Sequence, residues 1–131
     1  MHFPIALEAA LKIKELTYVH AEGIAAGEIK HGPLALIDNN SIVIVINPRD
    51  NTYDDVLSNA HEIKSRGATI IGISNESEEV YDYFIKLPNF DSILYPLIEI
   101  IPLQLLAYHL ALKKNADPDY PRNLAKSVTV K

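Results

Sequence analysis

The chain contains no cysteine. Without thiols it can build neither a disulfide framework nor a zinc–thiolate site, and it has no thiolate nucleophile. The absence suits a reducing compartment, so we expect a cytoplasmic location. The first residues, Met1 to Pro4, lack the basic and apolar regions of a signal peptide.

Glycine is missing where a phosphate-binding loop would need it. The junction after the first predicted strand, Asn47 to Asn51, reads NPRDN and matches neither the dinucleotide nor the Walker pattern. Any phosphate that this chain handles must therefore be held mostly by groups outside it.

The balance of charge is acidic, with a net charge of −5 over 131 residues. Nucleic-acid binding needs a broad basic face, so we expect no nucleic-acid partner. From Lys113 onward, however, five basic residues stand against two acidic ones, and this end could meet a small anion. A composition of 48% hydrophobic and 22% charged residues is typical of one globular domain.

Three short apolar runs predict a parallel sheet. Residues 42–46 form an unbroken β-branched run, as in a strand covered on both faces, and residues 69–73 and 83–87 predict two more strands. Between residues 53 and 63 apolar residues recur at helical spacing, and Gly67 marks the end of the predicted helix. Strand, helix and strand with short links indicate an α/β fold of three layers, α/β/α.

The other segments read as helices. We predict helices over residues 4–19 and 93–114, and Ala-rich helical stretches over 21–37 interrupted by glycine and proline. The first helix is apolar nearly all round, as a buried helix is. Because three strands are few and the chain opens on a helix, we predict that the domain is truncated at its N-terminus.

The last helix is long enough to span a bilayer. Polar residues interrupt it, and two prolines should break it near its start: Glu99, Gln104, His109, Pro96 and Pro102. We therefore interpret it as a buried core helix and expect no membrane partner.

Two interpretations fit the polar residues of the first helix. Glu8, Lys12 and Glu15 fall within about 60° of each other, while Lys14 points the opposite way. They could form a solvent-exposed ion-pair stripe. Alternatively, a carboxylate and an ammonium converge on a pocket, where one moves a proton and the other holds developing negative charge.

Two more candidates are His31 and Lys126. His31 precedes a Gly-Pro break and is either an acid/base group or merely an exposed loop residue. It has no metal-ligand spacing with the other four histidines, so we expect no metal site. Lys126 lies among apolar neighbours in the sequence. Two interpretations are open: the segment is a frayed terminus, or Lys126 is a nucleophile that attacks a carbonyl.

Four segments in order resemble the sugar isomerase (SIS) domains of glutamine–fructose-6-phosphate aminotransferases, also called glucosamine-6-phosphate synthases. They read IALEAALKIKE (5–15), YVHAE with AGEIKHGP (18–33), PLQLLAYH (102–109) and PRNLAKSVTV (121–130). KHGP is shared with other SIS proteins, but the terminal segment is more specific. The resemblance implies an SIS domain of flavodoxin-like type over residues 1–115 and a tail over 116–131.

The resemblance also implies roles in converting fructose 6-phosphate to glucosamine 6-phosphate without a cofactor. Lys126 would form a Schiff base with C2 of the sugar, and Glu15 would carry a proton between C1 and C2. His31 would assist ring opening in the site of the partner in a homodimer. Lys12 would stabilise charge near the substrate, and the backbone of Ala125 would lie against the sugar.

The family's glutaminase domain and phosphate loop have no counterpart in these residues, so we expect the chain alone to be inactive. Ala9 replaces the family's usual glycine, with little effect expected on the chemistry. The alternatives are a non-catalytic SIS module that binds or senses phosphosugars, and an aldose–ketose isomerase without amination. The presence of Glu15, His31 and Lys126 together favours the aminotransferase.

Overall fold

The computed structural model of the protein describes residues 1–123. Within them three α-helices and three strands follow in the order α1 (Phe3–Thr17), β1 (Ile42–Ile46), α2 (Tyr53–Lys64), β2 (Thr69–Ser74), β3 (Tyr83–Lys86) and α3 (Tyr95–Lys113). Short 3-10 helices lie at Ala26–His31, Pro33–Leu36 and Ser92–Leu94. Each strand lies within one residue of its predicted bounds, and α1 and α3 lie within two.

The three strands form one parallel sheet in the order β1-β2-β3. Ile42 pairs with Thr69 at one end of the β1–β2 ladder, and Ile71 pairs with Tyr83 at the start of the β2–β3 ladder. Because side chains alternate along a strand, the β-branched runs present apolar residues to both faces. The expectation that further strands precede Met1 stays a prediction.

Helices cover both faces of the sheet. On one face α1 and α3 pack on alternate strand residues, in a cluster that contains Ala9, Leu103, Ile73 and Leu87. On the other face α2 and the first 3-10 helix pack in a second cluster, which contains Ala60, Ile63, Ile70, Val45 and Ile29. This arrangement confirms the predicted three-layer α/β/α fold.

The helical stretches predicted over residues 21–37 are shorter than expected and of the 3-10 type, while the predicted break at Gly32 and Pro33 is confirmed. The structure has only the two short 3-10 helices there. Gly32 separates them with φ of 143°, a backbone conformation open to glycine, and Pro33 begins the second. The local alanine propensity is therefore overridden at this break.

The outer face of α3 departs from the prediction of a buried helix. The helix runs without interruption through Pro102, so the predicted break near its start is also wrong. Only one stripe of the helix, made of residues four positions apart, is buried: Tyr95, Glu99, Leu103, Ala107 and Ala111. The opposite stripe is exposed and apolar: Leu97, Ile101, Leu105, Tyr108 and Leu112.

By length and composition, the helical segment Ser92–Lys113 is the one span in residues 1–123 that could cross a membrane, and 22% of its apolar window is buried. A core helix of a globular domain passes the same test. The packing of α3 on the sheet places it in the domain. The helix α1 is likewise open on one side, with Phe3, Leu7 and Leu11 exposed.

Candidate functional site

The polar stripe of α1 is formed as ion pairs. The Lys12 ammonium lies 2.7 Å from Glu15 Oε2 and 3.7 Å from Glu8 Oε1. The hydrogen bond from Lys12 to Glu15 raises the pKa of the lysine above its ordinary value. With side chains 33% and 30% exposed, Lys12 and Glu15 remain accessible to a solute.

Glu15 also lines a groove of about 410 Å³ at the C-terminal end of α1. The groove is lined by Lys14, Glu15, Tyr18, Val19, His20, Arg122 and Asn123. Lys14, expected to point away from Glu15, lines the same groove, because the groove lies across the last turn of the helix. The pocket interpretation of the stripe therefore has a geometric counterpart.

The start of the C-terminal tail forms the other wall of this groove. The Arg122 guanidinium lies 4.0 Å above the centre of the Tyr18 ring, and the Arg122 backbone N–H donates to Tyr18 Oη over 2.9 Å. The predicted site residues Ala125 and Lys126 lie outside the described residues. Tyr18 and Arg122 were not among the predicted site residues.

His31 lies in a different layer from Glu15. Its 3-10 helix packs on the α2 side of the sheet through buried Ile29. The His31 Nδ1 lies 2.8 Å from Glu28 Oε2, and both side chains are about 70% exposed (70% and 69%). The sheet separates this layer from α1, so within one chain the structure does not bring His31 and Glu15 together.

A buried ionic cluster joins three segments near the C-terminal end of β1. His2, before α1, lies 2.8 Å from Asp50 through Nε2 and 2.7 Å from Glu99 through Nδ1. The Glu99 contact is off the line of a hydrogen bond, and Glu99 is fully buried. Glu99 and then Asp50 raise the pKa of His2 above its ordinary 6.5, against the opposing effect of burial.

The neighbouring β1–α2 loop is not built to receive an anion. In open parallel sheets, ligands bind beyond the carboxyl ends of the strands. Here Asp50 occupies that place, and the Arg49 guanidinium is paired with Glu76 at 2.7 Å. Within residues 1–123, no three histidine or carboxylate side chains are grouped to hold a metal ion.

The family model described as the SIS domain matches residues 1–114. The glutamine–fructose-6-phosphate aminotransferase (isomerizing) of Thermococcus kodakarensis is 54% identical over 129 residues, which are 97% of this chain and 21% of that protein. That of Pyrococcus horikoshii is 54% identical over 132 residues, 99% of this chain and 22% of that protein. The chain thus spans about a fifth of the length of these curated relatives.

A solved structure gives the same result. The C-terminal domain of the glucosamine-fructose-6-phosphate aminotransferase of Francisella tularensis superposes with a TM-score of 0.85 and 38% identity. The match covers 91% of this chain and 35% of that one. The resemblance drawn from the four sequence segments is confirmed.

Proposed function

Because this chain belongs to the SIS domain family, we propose that it forms part of the isomerase site of a glutamine–fructose-6-phosphate aminotransferase. Within that enzyme, fructose 6-phosphate becomes glucosamine 6-phosphate. We divide the chain into the SIS domain, residues 1–115, and a functional tail, residues 116–131. A cytoplasmic location is part of the proposal, supported by the absence of cysteine.

The proposed chemistry uses Lys126 and Glu15 in turn. The Lys126 amine attacks C2 of the open-chain sugar and releases water, which leaves an iminium. Ammonia can then replace the lysine nitrogen at C2 and release the lysine. Glu15 then removes a proton from C1, and the electron pair moves to the C2 iminium nitrogen. The same carboxyl returns its proton to C2 while the C1 hydroxyl gives up its proton to solvent and becomes the aldehyde, so one residue held over two adjacent carbons completes the shift.

The observation that carries this proposal is the groove shared by Glu15 and the start of the tail. Glu15 lies on one wall beside the Lys12 ammonium, and Asn123 lies on the other. Lys126 follows Asn123 by three residues, and three residues span at most about 11 Å. The chain therefore allows a lysine nucleophile and a carboxylate base to share one small site, with Lys12 beside them to hold negative charge.

We test this function in a chimera in which the present chain replaces the matching segment of the Thermococcus kodakarensis relative. The wild-type chimera should make glucosamine 6-phosphate from fructose 6-phosphate and glutamine. Glu15→Gln should lower kcat by at least about 100-fold, because an amide cannot act as the base. The measurement is the rate of glucosamine 6-phosphate formation by both chimeras, followed by chromatography.

The matched control is Glu62→Gln, which also removes a carboxylate paired with a lysine, at 2.6 Å, but lies outside the groove. It should leave kcat unchanged within about twofold. A chimera that binds fructose 6-phosphate without turnover would favour the non-catalytic phosphosugar-binding module. Equal activity of Glu15→Gln and wild type would contradict the role of Glu15.

We further propose that copies of the chain associate and that His31 serves the site of the partner copy. The sheet between His31 and Glu15 supports this, because two copies can join groups that one copy holds apart. The exposed apolar residues of α1 and α3 support the association of copies only, because they lie on the face of the sheet opposite His31. We name them the apolar seam: Phe3, Leu7, Leu11, Leu97, Ile101, Leu105, Tyr108 and Leu112.

The apolar seam suits a second copy of the same chain. Its residues recur every three or four positions on two neighbouring helices, which is the spacing of interdigitating helix contacts. Two such faces related by a twofold axis would form a four-helix layer in which each seam covers the other. Exposed apolar surface of this extent is typical of an interface.

Leu105→Lys should weaken this association by at least about tenfold, because it places a charge in the seam. Light scattering should give the wild-type chain at micromolar concentration at least twice the 14.6 kDa of one copy, and the variant less. Leu36→Lys is the control, since Leu36 is 76% exposed but lies outside the seam. A monomeric wild type would contradict the proposal.

A further inference from the structure

Tyr18 has an unusual backbone for its residue type. It ends α1 with φ of 60° and ψ of 20°, the left-handed conformation in which glycine is the common helix-ending residue. A bulky side chain adopts it at a cost, and such positions persist only where the surroundings fix them. Its N–H donates to Lys14 O over 3.1 Å, which closes the last turn of the helix.

The surroundings that fix Tyr18 come from the far end of the chain. The ring supports the Arg122 guanidinium at 4.0 Å, and the hydroxyl oxygen accepts the Arg122 backbone N–H at 2.9 Å. A cation above an aromatic face and a hydrogen bond to the same side chain together define both the position and the direction of Arg122. Phenylalanine would offer only the first contact.

These contacts lie beside the candidate site. Tyr18 follows Glu15 by three residues, so both side chains lie on the same part of the helix surface. Both line the groove with Asn123, which directly follows Arg122. Holding Arg122 therefore fixes the wall of the groove that faces Glu15.

We propose that Tyr18 is a positioning residue of the isomerase site, which anchors Arg122 and so fixes the wall of the groove that faces Glu15. The inference rests on the proposed function, and it assigns to Tyr18 no contact with the sugar. Its effect should appear in the catalytic step rather than in sugar binding. The sugar's phosphate is held by groups outside this chain under the same proposal.

The anchor is tested on the chain itself by trypsin cleavage after Arg122. The contact with the Tyr18 ring keeps the Arg122 guanidinium from binding to the protease. Tyr18→Leu should therefore speed cleavage after Arg122 by about five- to tenfold relative to cleavage after Lys114. Tyr18→Phe keeps the ring and should give an intermediate rate. Tyr120→Leu is the control, since Tyr120 is 79% exposed, lies two residues from Arg122 and should leave the rate unchanged.

The positioning role is tested in the chimera. Tyr18→Leu should lower kcat by about tenfold and leave KM for fructose 6-phosphate within about twofold, with Tyr18→Phe recovering part of the loss. Unchanged cleavage after Arg122 would overturn the anchor, and faster cleavage with unchanged kcat would overturn its role in the site. An inactive wild-type chimera would refute the proposed function and the positioning role with it, while the cleavage rates would still show whether the anchor exists.

Discussion

Arginine in place of Lys126 should abolish the conversion of fructose 6-phosphate in the chimera, with kcat falling by at least about 1,000-fold. The guanidinium keeps the positive charge and with it much of the attraction for an anionic sugar. It is neither deprotonated nor nucleophilic near neutral pH, so no Schiff base can form. KM should therefore change far less than kcat.

Borohydride trapping separates the role of Lys126 from that of Glu15. Reduction of an iminium fixes the sugar to the lysine, and mass measurement of peptides locates it. The wild-type chimera and Glu15→Gln should both gain an adduct at Lys126, because an amide in place of the base stops the proton shift but not imine formation. Lys126→Arg should gain none.

Lys131→Arg supplies the matched control, since it makes the same replacement in the same tail. It should retain both turnover and the adduct. An adduct on Lys12 or Lys14, together with an active Lys126→Arg chimera, would show that the nucleophile is a lysine of α1 and not Lys126. That outcome would leave the groove as the site and change only the group that attacks.

The sheet and its two helical layers could be predicted because each strand carries its own signal. The run from Ile42 to Ile46 is apolar at every position, which is typical of a strand with a layer of helices on each face of its sheet. The segment 21–37 could not be predicted in the same way. Its alanines favour a helix locally, while Gly32 and Pro33 dictate a break whose geometry depends on packing of Ile29 against α2.

Helix burial was overestimated for a related reason. An apolar helix indicates that its surface is to be covered, but not by what. In α3 the stripe through Leu103 meets the sheet of the same chain, whereas the stripe through Leu105 remains exposed among the described residues. The two stripes have nearly the same helical spacing, and the exposed one is the more apolar of the two, so apolarity alone does not show which stripe meets the sheet.

The candidate site was predictable where it is local and unpredictable where it is not. Lys12 and Glu15 are one turn apart, and helical spacing alone places them together. Tyr18 meets Arg122 across 104 positions. No periodic pattern encodes a pair so far apart, and the left-handed backbone of Tyr18 has no sequence signal when the residue is not glycine.

The ionic cluster of His2, Asp50 and Glu99 is the other feature without a local signal. The three residues come from before α1, from the β1–α2 loop and from α3, so the cluster ties the N-terminus to both. Burial would raise the pKa of Asp50, but hydrogen bonds from His2 and Thr52 bring it below its ordinary 3.8. The pKa of His2 is raised, with the Glu99 carboxylate as the largest cause.

These two shifts define the pH range in which the cluster stabilises the fold. A raised histidine pKa gives stability that is fully present below about pH 6.5 and lost as pH rises through the higher value of the folded state. A lowered aspartate pKa gives stability that is present above about pH 4 and lost as pH falls. The contribution of the cluster should therefore be greatest between about pH 4 and pH 6.5.

His2→Gln should accordingly lower the free energy of unfolding by about 3 kcal/mol at about pH 5.5, because it leaves the buried Glu99 carboxylate without a counter-ion. At a second, alkaline pH above the raised pKa of His2 the wild-type histidine has lost its charge, so the difference between the two proteins should nearly vanish. Urea unfolding at both pH values measures it, with His109→Gln, an exposed histidine of α3, as the control expected to show no loss. A deficit of the same size at both pH values would mean that His2 stabilises the fold through packing and not through its charge.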